Sequence, residues 1–365
     1  MAKKTNATVQ KMMDWLNDHL TIIPNMQKML FVQNLYIMVR AGLSIVDALK
    51  ILANQVENKK LQKLISQVKE QVEKGRQLSE VLKEFPKIFP PIYVSMIAAG
   101  EMAGKIEDSL REVSSQMKKS QALTSHIKGA LIYPGVILTA MIGIGIEMVV
   151  FVLPNIISMF NDSHVQLPFA TRLLVFIVNG VKNYGIFIAV GLVALISLLV
   201  WIEHQPAVRR RVHALNLYVP IFGGIIKKIN LARFTMTLSS LLASAIPIID
   251  AIRITASVES NITYREDLLL VSEALKKGES LSETLKKYPV QFPPMVVQMI
   301  MVGEQAGQLE QMLKELATYY SETVDETMKN FSTIIEPVII LLLGVAVAFI
   351  AVAVIMPMYS LAQSF

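Results

Sequence analysis

The sequence contains no cysteine, which excludes disulfides, thiolate metal sites and cysteine nucleophiles from its chemistry. Charge is scarce: 18% of its 365 residues are Asp, Glu, Lys or Arg, where a soluble domain carries about a quarter. There is no G-x-x-x-x-G-K-[ST] phosphate loop, so ATP hydrolysis is left to a partner. The five histidines, His19, His126, His164, His204 and His213, show neither H-E-x-x-H nor any paired spacing. Serine and aspartate are plentiful, but no base partners them in sequence. We therefore expect no enzyme, no metal and no cofactor. Residues 1–20 scatter Lys11, Asp14 and Asp18 through apolar positions and offer no cleavage site, so they are not expected to form a signal peptide. The stretch Met12, Trp15, Leu16, Leu20 reads equally as an amphipathic segment on a membrane surface or as a loose lead.

What the sequence has in excess is apolar residues, 53% of the chain. Pro337 to Met358 runs without a charge, and as a helix it would reach roughly 33 Å, enough for a hydrocarbon core of about 30 Å. Tyr184 to Ile202 is likewise uncharged and carries Trp201 at its end. Ala130 to about Ile157 is a third run, interrupted by Pro134, Glu147 and Pro154. Basic residues mark the inner side of a span. Of the 35 Lys and Arg, only Arg172 and Lys182 fall within 130–202. Lys118, Lys119 and Lys128 precede the first run, Arg209, Arg210 and Arg211 follow the second, and Lys329 precedes the third. This places the N-terminus in the cytoplasm and the C-terminus outside. The arginine run needs no nucleic acid, because a juxtamembrane cluster facing anionic lipid accounts for it.

Displaced by 203 residues, the chain matches itself. Phe31 falls on Phe234, Asp47-Ala48 on Asp250-Ala251, and Gly75 on Gly278. Leu78-Ser79-Glu80 falls on Leu281-Ser282-Glu283, Phe89-Pro90-Pro91 on Phe292-Pro293-Pro294, and Gly100-Glu101 and Gly104 on Gly303-Glu304 and Gly307. The register continues to Pro134 and Pro337. Within each copy the apolar period is helical, as in Ile45, Leu49, Leu52, Val56, and no period-2 alternation occurs. The glycines at 75 and 278 read as helix stops, and the double prolines as turns that start the next helix. We therefore expect an all-α polytopic membrane protein with three transmembrane helices and two homologous cytoplasmic antiparallel helical bundles. The divisions are an N-terminal cytoplasmic segment (1–30), the first bundle repeat (31–129), a span (130–157), an outer loop (158–183), a span (184–202), the second bundle repeat (203–332), a span (333–358) and an outer tail (359–365).

Two sets of residues stand out as candidate sites. Gly100, Glu101, Gly104 and their counterparts Gly303, Glu304, Gly307 read in two ways. The glutamates would receive a basic surface of a motor, or the motif would be a tight helix–helix turn, with Gly for close approach or φ > 0 and Glu capping nearby amides. Glu147 and Glu336 are the acidic residues of the apolar runs. A charge there is costly, so each faces a protein partner, or water at an interface. Gly143, Gly145 and Gly344 would allow close helix packing in an oligomer.

The repeated pattern, Phe31…Ala41-Gly42-Leu43…Asp47-Ala48-Leu49, then Gly75…Leu78-Ser79-Glu80, then Phe89-Pro90-Pro91…Gly100-Glu101…Gly104, resembles the type II secretion F family. These are the inner-membrane platform proteins of type II secretion systems and type IV pili. Tyr133-Pro134, Leu167-Pro168…Thr171 and Glu336-Pro337 are similar too. The second copy departs from the pattern with Ser244-Ala245 in place of Ala-Gly, and the lead before Phe31 is shorter than the N-terminal segment of longer members. The resemblance implies a bacterial inner-membrane location and a homo-oligomer in contact with lipid. It also implies three kinds of partner: a cytoplasmic hexameric secretion or pilus ATPase, pilins or pseudopilins, and other inner-membrane assembly proteins. A transporter or channel subunit is the alternative, although Glu147 is nearly the only polar group available to line a pathway.

Overall fold

The structure, a computed structural model, describes residues 23–154, 169–220 and 222–362. The lead containing Met12 and Trp15, the part of the outer connection with Leu167-Pro168, and the last residues of the tail lie outside the described residues. Among those described there are helices and no strands. In chain order they are α1 (Asn25–Arg40), α2 (Ile45–Gln55), α3 (Lys59–Glu73), α4 (Leu78–Lys83), α5 (Pro91–Met102) and α6 (Ile106–Glu147). A π-helical turn (Met148–Val152) follows, then α7 (Phe169–His204) and α8 (Pro206–Asn216). The second series is α9 (Phe222–Ala243), α10 (Ile248–Val258), α11 (Ile262–Lys276), α12 (Leu281–Leu285), α13 (Pro294–Ala306) and α14 (Leu309–Ala362).

Two compact units result, one from residues up to Thr124 together with His213–Val324, the other from Ser125–Val212 together with the chain from Asp325. In the first, each helical series repeats the same local solutions. Asn58 caps α3 by accepting from the amides of Lys60 and Leu61, and Asn261 caps α11 by accepting from Thr263. Gly75 and Gly278 end those helices at φ of 90° and 88°, the left-handed region in which glycine carries no Cβ penalty. Pro91 and Pro294 are the first residues of α5 and α13, positions where the missing N–H has no helical partner in any case. Phe31 meets Phe89 at 6.0 Å between ring centroids, and Phe234 meets Phe292 at 5.1 Å. Leu49 and Ile65 in the first series and their counterparts Ile252 and Leu268 in the second are fully buried.

The two series differ where α1 and α9 end. Gly42 turns the chain at φ 89°, while its counterpart Ala245 stands at φ 57°, the one non-glycine with positive φ among the described residues. Ala245 is exposed, so no packing compensates for the strain on its Cβ. Ala245→Gly is expected to stabilise the protein by about 1 kcal/mol, the low end of the left-handed penalty for an L-residue. A thermal melt of the detergent-solubilised chain should shift upward by roughly 2–4 °C; a downward shift would show that the backbone there is unstrained.

In the second unit α6, α7 and α14 pack together. Leu153, Leu174, Val178 and Ala353 are buried against one another, with Phe349 and Ile350 beside them. Thr171 donates its hydroxyl to the carbonyl of Ala353 at 2.8 Å. Pro134 does not break its helix, which runs unbroken to Glu147; apolar helices accept proline when neighbouring groups satisfy the freed carbonyl. The helix carrying the second run begins at Phe169, well before Tyr184. Residues 169–183, expected from the sequence in the outer loop ahead of the uncharged run, are helical, and Leu174 and Val178 bury one face of those turns.

Candidate functional site: paired glutamate caps

Glu101 lies in the last turn of α5, and its carboxylate reaches back to the start of α4. Oε1 accepts from the amide of Leu78 at 2.6 Å and Oε2 from that of Ser79 at 3.0 Å. Glu304 does the same from α13, accepting from Leu281 at 2.6 Å and Ser282 at 3.0 Å, with the Ser282 hydroxyl as a further donor. The first amides of a helix have no intrahelical partner and sit at the positive end of its dipole. Gln77, which precedes α4, makes no capping bond of its own. A carboxylate on the next helix therefore supplies what the local sequence does not. Both glutamates are half-buried, which keeps water from competing fully for the amides.

The glycines of the motif serve the same corner. A Cβ at Gly100 would stand 2.3 Å from Ser109 Cβ, and one at Gly303 2.9 Å from Met312 Cγ. These are the contacts where α5 meets α6 and α13 meets α14. Gly104 and Gly307 turn the chain at φ of 67° and 68°. The turn is closed by Lys105 N donating to Gly100 O at 2.7 Å and Gln308 N to Gly303 O at 2.8 Å. The two corners match residue by residue, and each draws three helices together.

The acidic residues of the apolar runs are placed differently. Glu336 accepts from the Tyr133 hydroxyl at 3.2 Å, a pairing of two positions 203 residues apart and hence of a residue with its own counterpart. Ser332 donates to Ala130 O at 3.0 Å close by, and His126 Nδ1 stands 2.8 Å from an Asp325 oxygen. Glu147 is exposed at the end of α6, beside the π turn. Of the histidines, His213 accepts from the Ile262 amide at the start of α11. Among the described residues no cluster of His, Asp and Glu could hold a metal ion.

One feature of the second bundle escaped the sequence reading. Glu259 is fully buried, and neither carboxylate oxygen has a hydrogen-bond partner among the described residues. Burial pushes its carboxyl up to about 8, against the pull of Arg233 and Arg265. The counterparts of these three in the first copy are Val56, Leu30 and Gln62. Three charges gained together between otherwise matched copies were the available signal.

The sequence profile of the family described as Type II secretion system (T2SS), protein F matches this chain twice, over residues 31–154 and 234–357. The chain belongs to this family. The two matches fall in the same register as the paired glutamate caps and cover most of the sequence. Among relatives, the chain is 33% identical over 334 residues to a type IV pilus assembly protein PilC of Myxococcus xanthus, covering 92% of this chain and 80% of the relative. It is 32% identical over 332 residues to a protein of the same name from Thermus thermophilus, covering 91% and 82%. It is 31% identical over 328 residues to a type II secretion system protein F of Vibrio cholerae, covering 90% and 80%. Among the described residues two helices, Ile106–Val152 with its π turn and Leu309–Ala353, are long and apolar enough to cross a membrane.

Proposed function

We propose that this type II secretion F protein is the inner-membrane platform of a type IV pilus or type II secretion machine. The observation that carries the reading is the double family match, joined to relatives named for both machines. The platform is a scaffold and transmission element with no catalysis of its own. A cytoplasmic hexameric ATPase docks on the helical bundles, and its movement passes through the spans to pilins or pseudopilins drawn from the membrane. Each bundle is antiparallel, and α7 is the third span, so that 31–129 and 203–332 both face the cytoplasm. The scarcity of Lys and Arg in 130–202 supports that orientation, with residues 158–183 and the C-terminus on the periplasmic side. Glu101 and Glu304 act as ordering residues of the bundles and shape the docking surface indirectly; Glu147 meets a partner or headgroup water near the outer end of its span.

The test is a clean deletion complemented by the chain carrying a topology reporter at Asn161 or Gly278. Surface filaments and exported proteins are scored in parallel. We expect loss of one of the two on deletion and its return on complementation, with the first reporter external and the second cytoplasmic. Lost filaments assign the pilus machine and lost export the secretion machine; neither loss, together with solute flux through reconstituted vesicles, would replace the platform by a transporter.

A further inference from the structure

Within the first unit the two bundles meet by unlike faces. Helix α5 of the first series packs on α9 and α10 of the second, and Ser240 of α9 donates to Gln116 of α6 at 2.8 Å, both side chains buried. The contact is head-to-tail: the first copy offers its α5–α6 face and the second its α9–α10 face. The counterparts of those faces are left uncovered. Ile92 is 4% exposed and its counterpart Met295 39%; Met96 is 0% exposed and its counterpart Met299 half-buried, while Val302, on the same face of α13, is 53% exposed. Gln116 is 2% exposed and its counterpart Tyr319 50%; Ser240 is 6% exposed and its counterpart Ile37 51%. A head-to-tail contact between like units leaves one donor and one acceptor face open at its two ends, and these join a further unit.

We infer that the α13–α14 face of one chain docks on the α1–α2 face of a second copy of this chain, repeating between chains the contact made within each. Three observations select a second copy as the occupant. The two open faces are built on the backbone framework whose other copies already fit each other. At the centre of the contact the polar pair Gln116 and Ser240 becomes Tyr319 and Ile37, so both sides turn apolar together, as a matched interface requires. At its edge, Glu112 and Ala243 line one cleft between the bundles; their counterparts are Glu315 and Arg40, which carry opposite charges. Charge complementarity of this kind fixes register and excludes wrong pairings.

The absence of native cysteine makes the test direct. Two differently tagged full-length copies are expressed together in membranes, one with Ile37→Cys and the other with Tyr319→Cys, and treated with a short thiol cross-linker. A mixed-tag adduct is expected, several-fold above that from either substitution paired with itself. Adding Arg40→Glu to the first copy should cut the adduct about tenfold, because like charges then face each other. Adding Glu315→Arg to the second should restore it, which a merely unfolded variant would not allow. No mixed adduct, an adduct only between like positions, or an adduct only with another protein would overturn the inference, as would failure of the reversed charge pair to recover.

Discussion

Alanine at both Glu101 and Glu304 is expected to cost the folded protein about 4 kcal/mol, roughly 2 for each carboxylate. Each accepts two backbone amides at the start of a very short helix. Removing the side chain strands these donors where water reaches them only in part. Charge-assisted bonds of this kind are worth about 1.5–3 kcal/mol each, and the half-exposed setting, where water partly replaces the lost acceptor, holds the total below the sum of four such bonds. The two corners share no partner, so the losses should add. In a thermal melt of the detergent-solubilised chain the shift would be roughly 10 °C downward. Glutamine at both positions keeps one acceptor oxygen per side chain and should lose about half as much. The measurement also separates the two readings of the motif. If the glutamates served only to receive a basic motor surface, the alanine variant would melt like the native protein and lose only its co-purifying ATPase. The geometry leads us to expect that the melt moves first, and that any loss of motor binding follows from the disordered corner.

Why the motif was visible while its partners were not is a matter of range. Gly75, Gly278, Pro91 and Pro294 report constraints on their own φ and on the next amide, and such constraints are written where they act. Repetition at one spacing then made the pairs stand out from single glycines and prolines. Glu101 is different. Its target amides lie 23 and 22 residues upstream, and a carboxylate in sequence does not say which helix it caps. The same holds for Glu259, whose neighbours Arg233 and Arg265 come from other helices, and for the start of α7 at Phe169, ahead of the uncharged run that marked it in the sequence. The head-to-tail meeting of the bundles was least legible of all. Matched motifs imply matched folds, and they are silent about which face of one copy touches the other. That information sits in the positions where the copies disagree, such as Gln116 against Tyr319 and Ser240 against Ile37.

Disagreement between the copies also gives the second large effect, at Glu259. Its carboxyl rises from an ordinary 4.5 to about 8, chiefly because burial disfavours the charged form, with Arg233 and Arg265 pulling the other way. Arg233 bonds the hydroxyl of the adjacent Ser260, and Arg265 donates to the Glu259 backbone carbonyl at 2.8 Å, so both guanidinium groups are engaged beside the carboxyl and not bound to it. Tyr264, buried next to them, has its own hydroxyl held well above its ordinary range by burial and by Glu259. The sign follows from proton counting. Between pH 4.5 and 8 the unfolded chain has released this proton while the folded chain retains it, so stability falls as pH rises through that window and levels off above it. At about 1.4 kcal/mol per pH unit the full swing would approach 5 kcal/mol. Glu259→Gln, which cannot ionise, is expected to match the native protein near pH 5 and to be several kcal/mol more stable at pH 9, a difference of roughly 10 °C in the melt. Parallel profiles for the two proteins would mean that Glu259 is ionised throughout and paired with its arginines, in which case the glutamine variant would be the less stable at every pH.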